Sequence, residues 1–319
     1  MEEKILITGA NGQLGSVLAN ALIERYGSNS IIATDLKHKI KFKCYFEVLD
    51  ATDYDGIQTL VRKYSITQIY HMAAILSATG EKRPHLTWDV NMETLFNVLE
   101  VSRLNNIKKV FFPSSIAVYG ADVPKTNAPQ NFATTPNTVY GISKVAGELW
   151  ANYYFNRYGL DVRSIRYPGV IGYQSLPGGG TTDYAVEIYH KAINQEPYEC
   201  FLNNKTTLPM IYMEDAIRAT IELMEAPLKN LSVRTSYNVA GLSFNPEELA
   251  SSIKEILPEF QISYKPDFRQ DIANSWPESI DDSKARKDWN WKPKYNLKKI
   301  SADMIKNLQL HYNYKTQKS

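Results

Sequence analysis

Tyr140 and Lys144 stand four residues apart in Tyr140-Gly141-Ile142-Ser143-Lys144. On a helix that spacing puts a phenol and an ammonium on one face. A cation beside a phenol favours the tyrosinate, which draws the Tyr140 pKa down towards the range of a general base. The same Tyr-x-x-x-Lys pattern recurs at Tyr295/Lys299 and Tyr314/Lys318, where the polar C-terminal region reads as a solvated helix face or tail. Tyr140 differs in what precedes it, an apolar run over residues 109–113 that ends in Ser114-Ser115. Hydroxyls at the carboxyl edge of a parallel sheet lie where ligands of open α/β folds bind. Together they place a hydroxyl, a base and its activator in one cleft.

A second constellation opens the chain. Ile5-Leu6-Ile7 is a short apolar run, Gly9, Gly12 and Gly15 follow at three-residue spacing, and residues 17–23 are apolar on a helical period. Strand, glycine turn and helix form the order of a dinucleotide-binding unit. Gly9 permits the tight turn, Gly12 lets backbone N–H groups approach a pyrophosphate, and Gly15 lets the helix lie close to the strand. The helix N-terminus then turns its positive dipole end to the phosphates. Asp35 ends the next strand, 20 residues beyond Gly15, where a carboxylate accepts bonds from an adenosine ribose 2′-OH. The competing reading is an ordinary βαβ unit with a helix cap at the strand end. A carboxylate repels a 2′-phosphate, so Asp35 argues for NAD over NADP, and the nearby Lys37 tempers that preference.

The elements that must position these groups alternate. Strands are expected at 44–49 (ending in Asp50), 68–72 (running into Ala73-Ala74), 109–113 and 161–167. Helices are expected at 54–64, 88–104 and 136–158. Strands joined by helices of this length imply right-handed crossovers and an α/β fold with a Rossmann doubly wound parallel sheet, helices on both faces. After Pro168-Gly169 the pattern changes: a Pro177-Gly178-Gly179-Gly180 loop, helices at 183–191 and 214–225, a strand at 236–240, and Asn245-Pro246 as helix cap and first turn. The expected division is an NAD-binding domain over 1–168 with a returning segment near 206–241. A smaller α/β substrate domain over 169–205 and 242–319 closes over the cofactor.

Composition sets the bounds. A chain of 319 residues can bury a large core. Net charge is +2, without a basic run, which does not suggest nucleic acid. No apolar stretch approaches the roughly 18 residues of a membrane span, and acidic Glu2-Glu3 followed at once by a core strand leaves no room for a signal peptide. Only Cys44 and Cys200 occur, and the five histidines are scattered, so neither a disulfide framework nor a metal site is expected. A cytoplasmic protein follows from these features.

Gly9-x-x-Gly12-x-x-Gly15, Asp35, Asp50, His71-Met72-Ala73-Ala74, Asn91, Ser114-Ser115-Ile116-Ala117-Val118-Tyr119-Gly120, Tyr140-x-x-x-Lys144 and Arg166-Tyr167-Pro168-Gly169-Val170 together resemble an extended short-chain dehydrogenase/reductase. The resemblance spans nearly the whole chain. It implies Ser115, Tyr140 and Lys144 as the catalytic set, with the Ser115 register following from Val118-Tyr119-Gly120. It also implies dinucleotide contacts from Gln13, Leu14, Asp50, Ala51, Ala73, Ala74, Asn91 and Tyr167, and a homodimer through the two long helices. Nucleotide-sugar epimerases and dehydratases of this family keep an arginine where this chain has Leu208, in Leu208-Pro209-Met210-Ile211-Tyr212-Met213-Glu214-Asp215. The segments 74–78, 177–185 and 275–279 instead resemble the short-chain type of L-threonine 3-dehydrogenases. That likeness implies oxidation of the C3 hydroxyl of L-threonine, with Leu76, Ser77, Gly180, Thr181, Thr182 and Trp276 joining Ser115 and Tyr140 around the substrate.

Blander roles compete for the same residues: Ser77, Thr181 and Thr182 as helix caps, Trp276 as a core aromatic, His71 as a satisfied buried histidine. A nucleotide-sugar epimerase or dehydratase, and a non-catalytic NAD-binding regulator, are the alternative functions.

Overall fold

Ile5–Thr8 (β1) is buried at every position because helices cover both faces of its sheet. A computed structural model describes residues 3–38, 42–178 and 180–316; Glu2, Gly179 and Lys318 of the sequence reading lie outside them. After β1 come Gln13–Tyr26 (α1), Ile31–Asp35 (β2), Tyr45–Val48 (β3), Tyr54–Tyr64 (α2), Gln68–His71 (β4), Ser77–Glu81 (α3) and Pro84–Leu104 (α4). Lys109–Ser115 (β5), Val139–Tyr158 (α5), Asp161–Tyr167 (β6), Gly169–Ile171 (β7), Tyr184–Ile193 (α6), Tyr198–Cys200 (β8) and Leu208–Tyr212 (β9) follow. The chain continues through Met213–Glu225 (α7), Tyr237–Asn238 (β10), Leu242–Phe244 (β11), Pro246–Lys254 (α8), Ile262–Tyr264 (β12), Arg269–Asn274 (α9), Ser283–Trp289 (α10) and Leu297–Thr316 (α11).

The main sheet runs β10-β6-β5-β4-β1-β2-β3, and every pair in it is parallel. It is the doubly wound Rossmann sheet that the strand–helix alternation predicts. Strand order reverses between β1 and β4, which opens a crevice at the carboxyl ends of those strands. One face is packed by α1 and α7 through Leu18, Leu22, Ile217 and Leu223. The other is packed by α2, α4 and α5 through Ile57, Leu60, Leu95, Val98 and Ala151. A third core gathers Tyr189, Ile253, Met304 and Leu308 from α6, α8 and α11 beside the sheet.

Two small sheets, β11-β9-β7 and β12-β8, lie outside the main one. Four of their five strands have three residues, too few to show a period in sequence. The long helices differ from expectation at their starts. α4 begins at Pro84, since proline suits a first helical turn. α5 begins at Val139 because the Thr138 hydroxyl accepts from the Gly141 N–H at 3.1 Å, past the expected start at Pro136. Asn245 and Glu248 form the reciprocal cap of α8, with Pro246 in its first turn. Tyr295 is not on a solvated helix face; its ring packs 4.6 Å from that of Tyr212. Among the described residues no helix is long and apolar enough to cross a membrane.

Candidate active site

The turn between β1 and α1 is tight in three dimensions. Gly9 has φ +69°, and a Cβ on Gly15 would meet the Gly9 carbonyl oxygen at 2.2 Å. Only glycine lets helix and strand approach this closely. Gly12 is the N-cap of α1 and provides no side-chain cap, which leaves first-turn N–H groups for a ligand anion. At the end of β2 the Asp35 carboxylate accepts from the backbone N–H groups of Asn11 and Leu36, both at 2.8 Å. A groove of about 240 Å³ joins Gly9, Gly12, Asp35, Asp50, Ala51, Ala73 and Ala74. Asp50 is turned to Thr52, accepting from its N–H at 2.9 Å and its hydroxyl at 2.8 Å. Open glycine backbone at one end and an oriented carboxylate at the other fit a dinucleotide.

A second cavity, of about 230 Å³, shares Gly12, Met72 and Ala74 with the first and extends it across the sheet edge. It is lined by Gln13, Leu14 and Gly15, by Ser115, Tyr140 and Lys144, and by Leu76, Ser77, Gly180, Thr181, Thr182 and Trp276. Ser115 ends β5 opposite Tyr167 on β6, and α5 brings Tyr140 and Lys144 over that edge. The ring of Tyr167 also lines the cavity, while its hydroxyl pairs with Thr220.

Burial pushes the Tyr140 phenol up to about 12, opposed only by its hydrogen bond with Ser115. Burial pushes Lys144 down to about 7, and the Glu148 carboxylate resists that fall. The sequence predicts that Lys144 lowers the Tyr140 pKa; in this cavity the loss of water raises it instead. Lys144 Nζ lies 4.7 Å from the ring centroid of Phe112 and 5.3 Å from that of Tyr140. Both groups therefore favour their neutral forms.

His71 is buried, with Nδ1 2.9 Å from the Thr8 hydroxyl and Nε2 3.4 Å from that of Thr94. Burial, with Lys144 adding to it, takes its pKa down to about 3. It is a neutral packing residue.

The cap roles are not realised. α3 is capped by Leu76, without a side-chain bond, and Ser77 is already helical. α6 starts after Asp183, also without one. Instead Thr181 Oγ1 and Trp276 Nε1 are buried with no hydrogen-bond partner among the described residues, and both residues line the cavity. An unpaired buried donor costs about 1–3 kcal/mol, which a polar ligand would relieve. Asn91 lies outside both cavities: its amide accepts from Ile75 N at 2.7 Å and donates to Ile75 O at 3.1 Å and Ser143 Oγ at 3.2 Å. It fixes the loop after β4. Sequence reasoning gave no site role to Met72, Thr94 and Asp183 on the walls; Met72 and Asp183 lay inside motifs it singled out, and nothing local marks Thr94.

Fold and cavity define an enzyme that binds a dinucleotide beside a Ser/Tyr/Lys set. A model of the NAD dependent epimerase/dehydratase family matches residues 5–240, and the chain belongs to that family. Its cofactor is NAD. An uncharacterized epimerase/dehydratase of Staphylococcus aureus is 46% identical over 312 residues, 96% of this chain and 97% of that protein. The GalE-like L-threonine dehydrogenase from Cupriavidus necator (holo form) superposes with a TM-score of 0.94 at 55% identity, covering 96% of this chain and 99% of that one. A monomeric L-threonine 3-dehydrogenase from a metagenome (apo form) gives 0.93 at 51%, with the same coverage.

Proposed function

We propose that the chain is an NAD-dependent L-threonine 3-dehydrogenase that oxidises the C3 hydroxyl to give 2-amino-3-oxobutanoate. The observation that carries this reading is the pair of unpartnered buried groups, Thr181 Oγ1 and Trp276 Nε1, in the same cavity as Ser115, Tyr140 and Lys144. Such a cavity suits a compact zwitterion. Among its described lining residues the charged side chains are Lys144 and Asp183, with no arginine. A nucleotide diphosphate calls for bidentate cationic donors. Leu208 offers none, being fully buried and paired with Phe244 in the small sheet.

Gly9, Gly12, Gly15, Asp35, Ala73 and Ala74 would hold NAD, with Asp35 on the adenosine ribose. When bound, NAD would supply the hydride acceptor and a positive ring charge. Tyr140, as phenolate, takes the proton of the C3 hydroxyl as the C3–H bond is broken and C3 becomes a ketone. Ser115 donates to the reacting oxygen and orients it. Lys144 favours the phenolate, and Thr181, Thr182 and Ser77 hold the polar ends of the amino acid. We also propose a cytoplasmic homodimer through α4 and α5, and a closing unit built from 169–205 and 242–319.

The test is a panel of L-threonine, L-serine, L-allo-threonine and UDP-sugars, each with saturating NAD. NADH should form with L-threonine. L-Serine should be about 10–200-fold slower for want of a methyl worth about 1–3 kcal/mol, and L-allo-threonine nearly inert because C3 is inverted. Turnover of a UDP-sugar with none of L-threonine would overturn the substrate and leave an epimerase or dehydratase. No turnover of any of them would leave a binding protein.

A further inference from the structure

Behind the cavity wall lies a buried ionic cluster that the proposed reaction does not touch. Glu148 sits on α5 one turn beyond Lys144, and its carboxylate takes three bonds. Ser114 Oγ donates to Oε1 at 2.6 Å, Arg166 Nε to Oε1 at 2.9 Å and Arg166 Nη2 to Oε2 at 2.7 Å. Both partners of the ion pair are at most 5% exposed at their side chains. Arg166 is held in turn by the Gln130 carbonyl and the Tyr119 hydroxyl, each at 3.0 Å. A carboxylate fixed this firmly cannot drift towards water, so its field on the helix face is constant.

Resting on the proton-transfer role given to Tyr140, we propose that Glu148 is a positioning residue. Pinned by Ser114 and Arg166, it is the fixed counter-charge that biases Lys144 towards the ammonium beside the phenol.

With Lys144 Nζ 5.3 Å from the Tyr140 ring centroid, the two groups are close enough to share a titration. Loss of one proton leaves either phenol with amine or phenolate with ammonium, and only the second form can accept the substrate's proton. Burial disfavours the ammonium, and Glu148 opposes that burial. The other groups around Lys144 do not replace it. From β4, His71 is neutral, and from β5, Phe112 offers only its ring. From β6, the Arg166 cation pairs with Glu148; Asp183, before α6, lines the cavity and accepts from the Gly180 N–H at 2.8 Å, and it is Glu148 whose charge raises Lys144 against burial. Glu148 is one turn from Lys144 and two from Tyr140, so it favours the phenolate–ammonium form over the phenol–amine form.

Removing that charge has a double signature. The pair loses its first proton at lower pH, and less of the product is the active form. In Glu148→Gln the pH midpoint of kcat for L-threonine oxidation should fall by about one pH unit. Its high-pH plateau should drop about three- to tenfold, with NAD affinity unchanged within about twofold. Glu148→Asp keeps the charge and should restore both. Because Glu148→Gln strands the Arg166 charge, Glu148→Gln/Arg166→Gln is measured in parallel with the thermal unfolding of each variant, and its midpoint should fall in the same direction but by less, since the opposing Arg166 charge is removed with the carboxylate. A structural role alone would lower the plateau or the unfolding temperature and leave the midpoint in place. That result in either glutamine variant overturns the proposal. The titration of the Lys144 Cε NMR signal, identified by its loss in Lys144→Arg, needs no substrate. Its midpoint should fall by the same amount in Glu148→Gln even if L-threonine proves not to be turned over, and an unmoved midpoint there overturns the proposal independently.

Discussion

At the scale of the residue, the chemistry is a matter of which proton leaves first. Tyr140 alone, in a cavity that pushes it up to about 12, is a poor base at neutral pH. Beside Lys144, pushed down to about 7, the pair can release a proton far earlier and share what remains. Tyr140→Phe should keep NAD binding and lose about 10²–10⁴ in kcat. In Lys144→Met the rise of kcat with pH should move up towards the phenol's own range; a profile unmoved by the loss of Lys144 would place the base elsewhere. Asp35 acts at the other end of the crevice. Its carboxylate is oriented by two backbone N–H groups, and Asp35→Ser should narrow a strong preference for NAD over NADP. Equal kcat/KM for the two cofactors in the unmodified enzyme would remove that assignment. The residue types and spacings were legible in sequence because each motif is local. The direction of the Tyr140 shift was not, since burial depends on segments far away in the chain that close the cavity.

At the scale of the element, the turn after β1 illustrates how one backbone serves fold and ligand differently. A Cβ on Gly15 would strike the Gly9 carbonyl at 2.2 Å, whereas one on Gly12 meets the same oxygen at 3.2 Å and nothing else within 4 Å. Gly15→Ala should therefore lower thermal stability, by about 1–3 kcal/mol, together with NAD affinity. Gly12→Ala should leave the unfolding temperature nearly unchanged and weaken NAD binding, because its methyl would occupy the approach of the pyrophosphate. Titration of NAD by intrinsic fluorescence reads both; unaltered NAD affinity in Gly12→Ala would put the phosphates elsewhere. The order of strands and helices in the first half was readable because each element carries its own period and punctuation. α3, β7, β8 and β12 were not, since a helix of five residues and strands of three present too few positions to establish one. Their placement comes from tertiary packing.

At the scale of the whole molecule, eight of the seventeen exposed large apolar side chains among the described residues lie on α4 and α5. Ile142, Leu149, Trp150, Tyr153 and Tyr158 of α5 and Trp88 and Leu104 of α4 are exposed. Phe96 packs edge-on against Trp150 at 4.9 Å, and Trp150 against Tyr153 at 5.4 Å, which ties the two helices into one aromatic face. α5 shows why sequence alone could not decide its partner. Its inner side buries Lys144, Glu148, Ala151 and Tyr154, so apolar residues run round most of the helix and blur any single stripe. A contiguous exposed face of this kind marks an interaction surface. A second copy of the chain is the occupant proposed above, although one similar dehydrogenase is monomeric. The same helix carries Tyr140 and Lys144, so pairing through it would also hold these proposed catalytic residues still. Light scattering at micromolar concentration should give twice the mass of the 36.3 kDa chain. Trp150→Glu, which puts a charge at the centre of the face, should halve that mass without unfolding the sheet, since Trp150 lies on the outer side of α5. Its kcat should fall modestly if dimerisation steadies α5, and its NAD affinity should stay the same because the glycine turn leads into α1, on the opposite face of the sheet from α4 and α5. A wild-type protein of single-chain mass at these concentrations would mean that the aromatic face serves another partner.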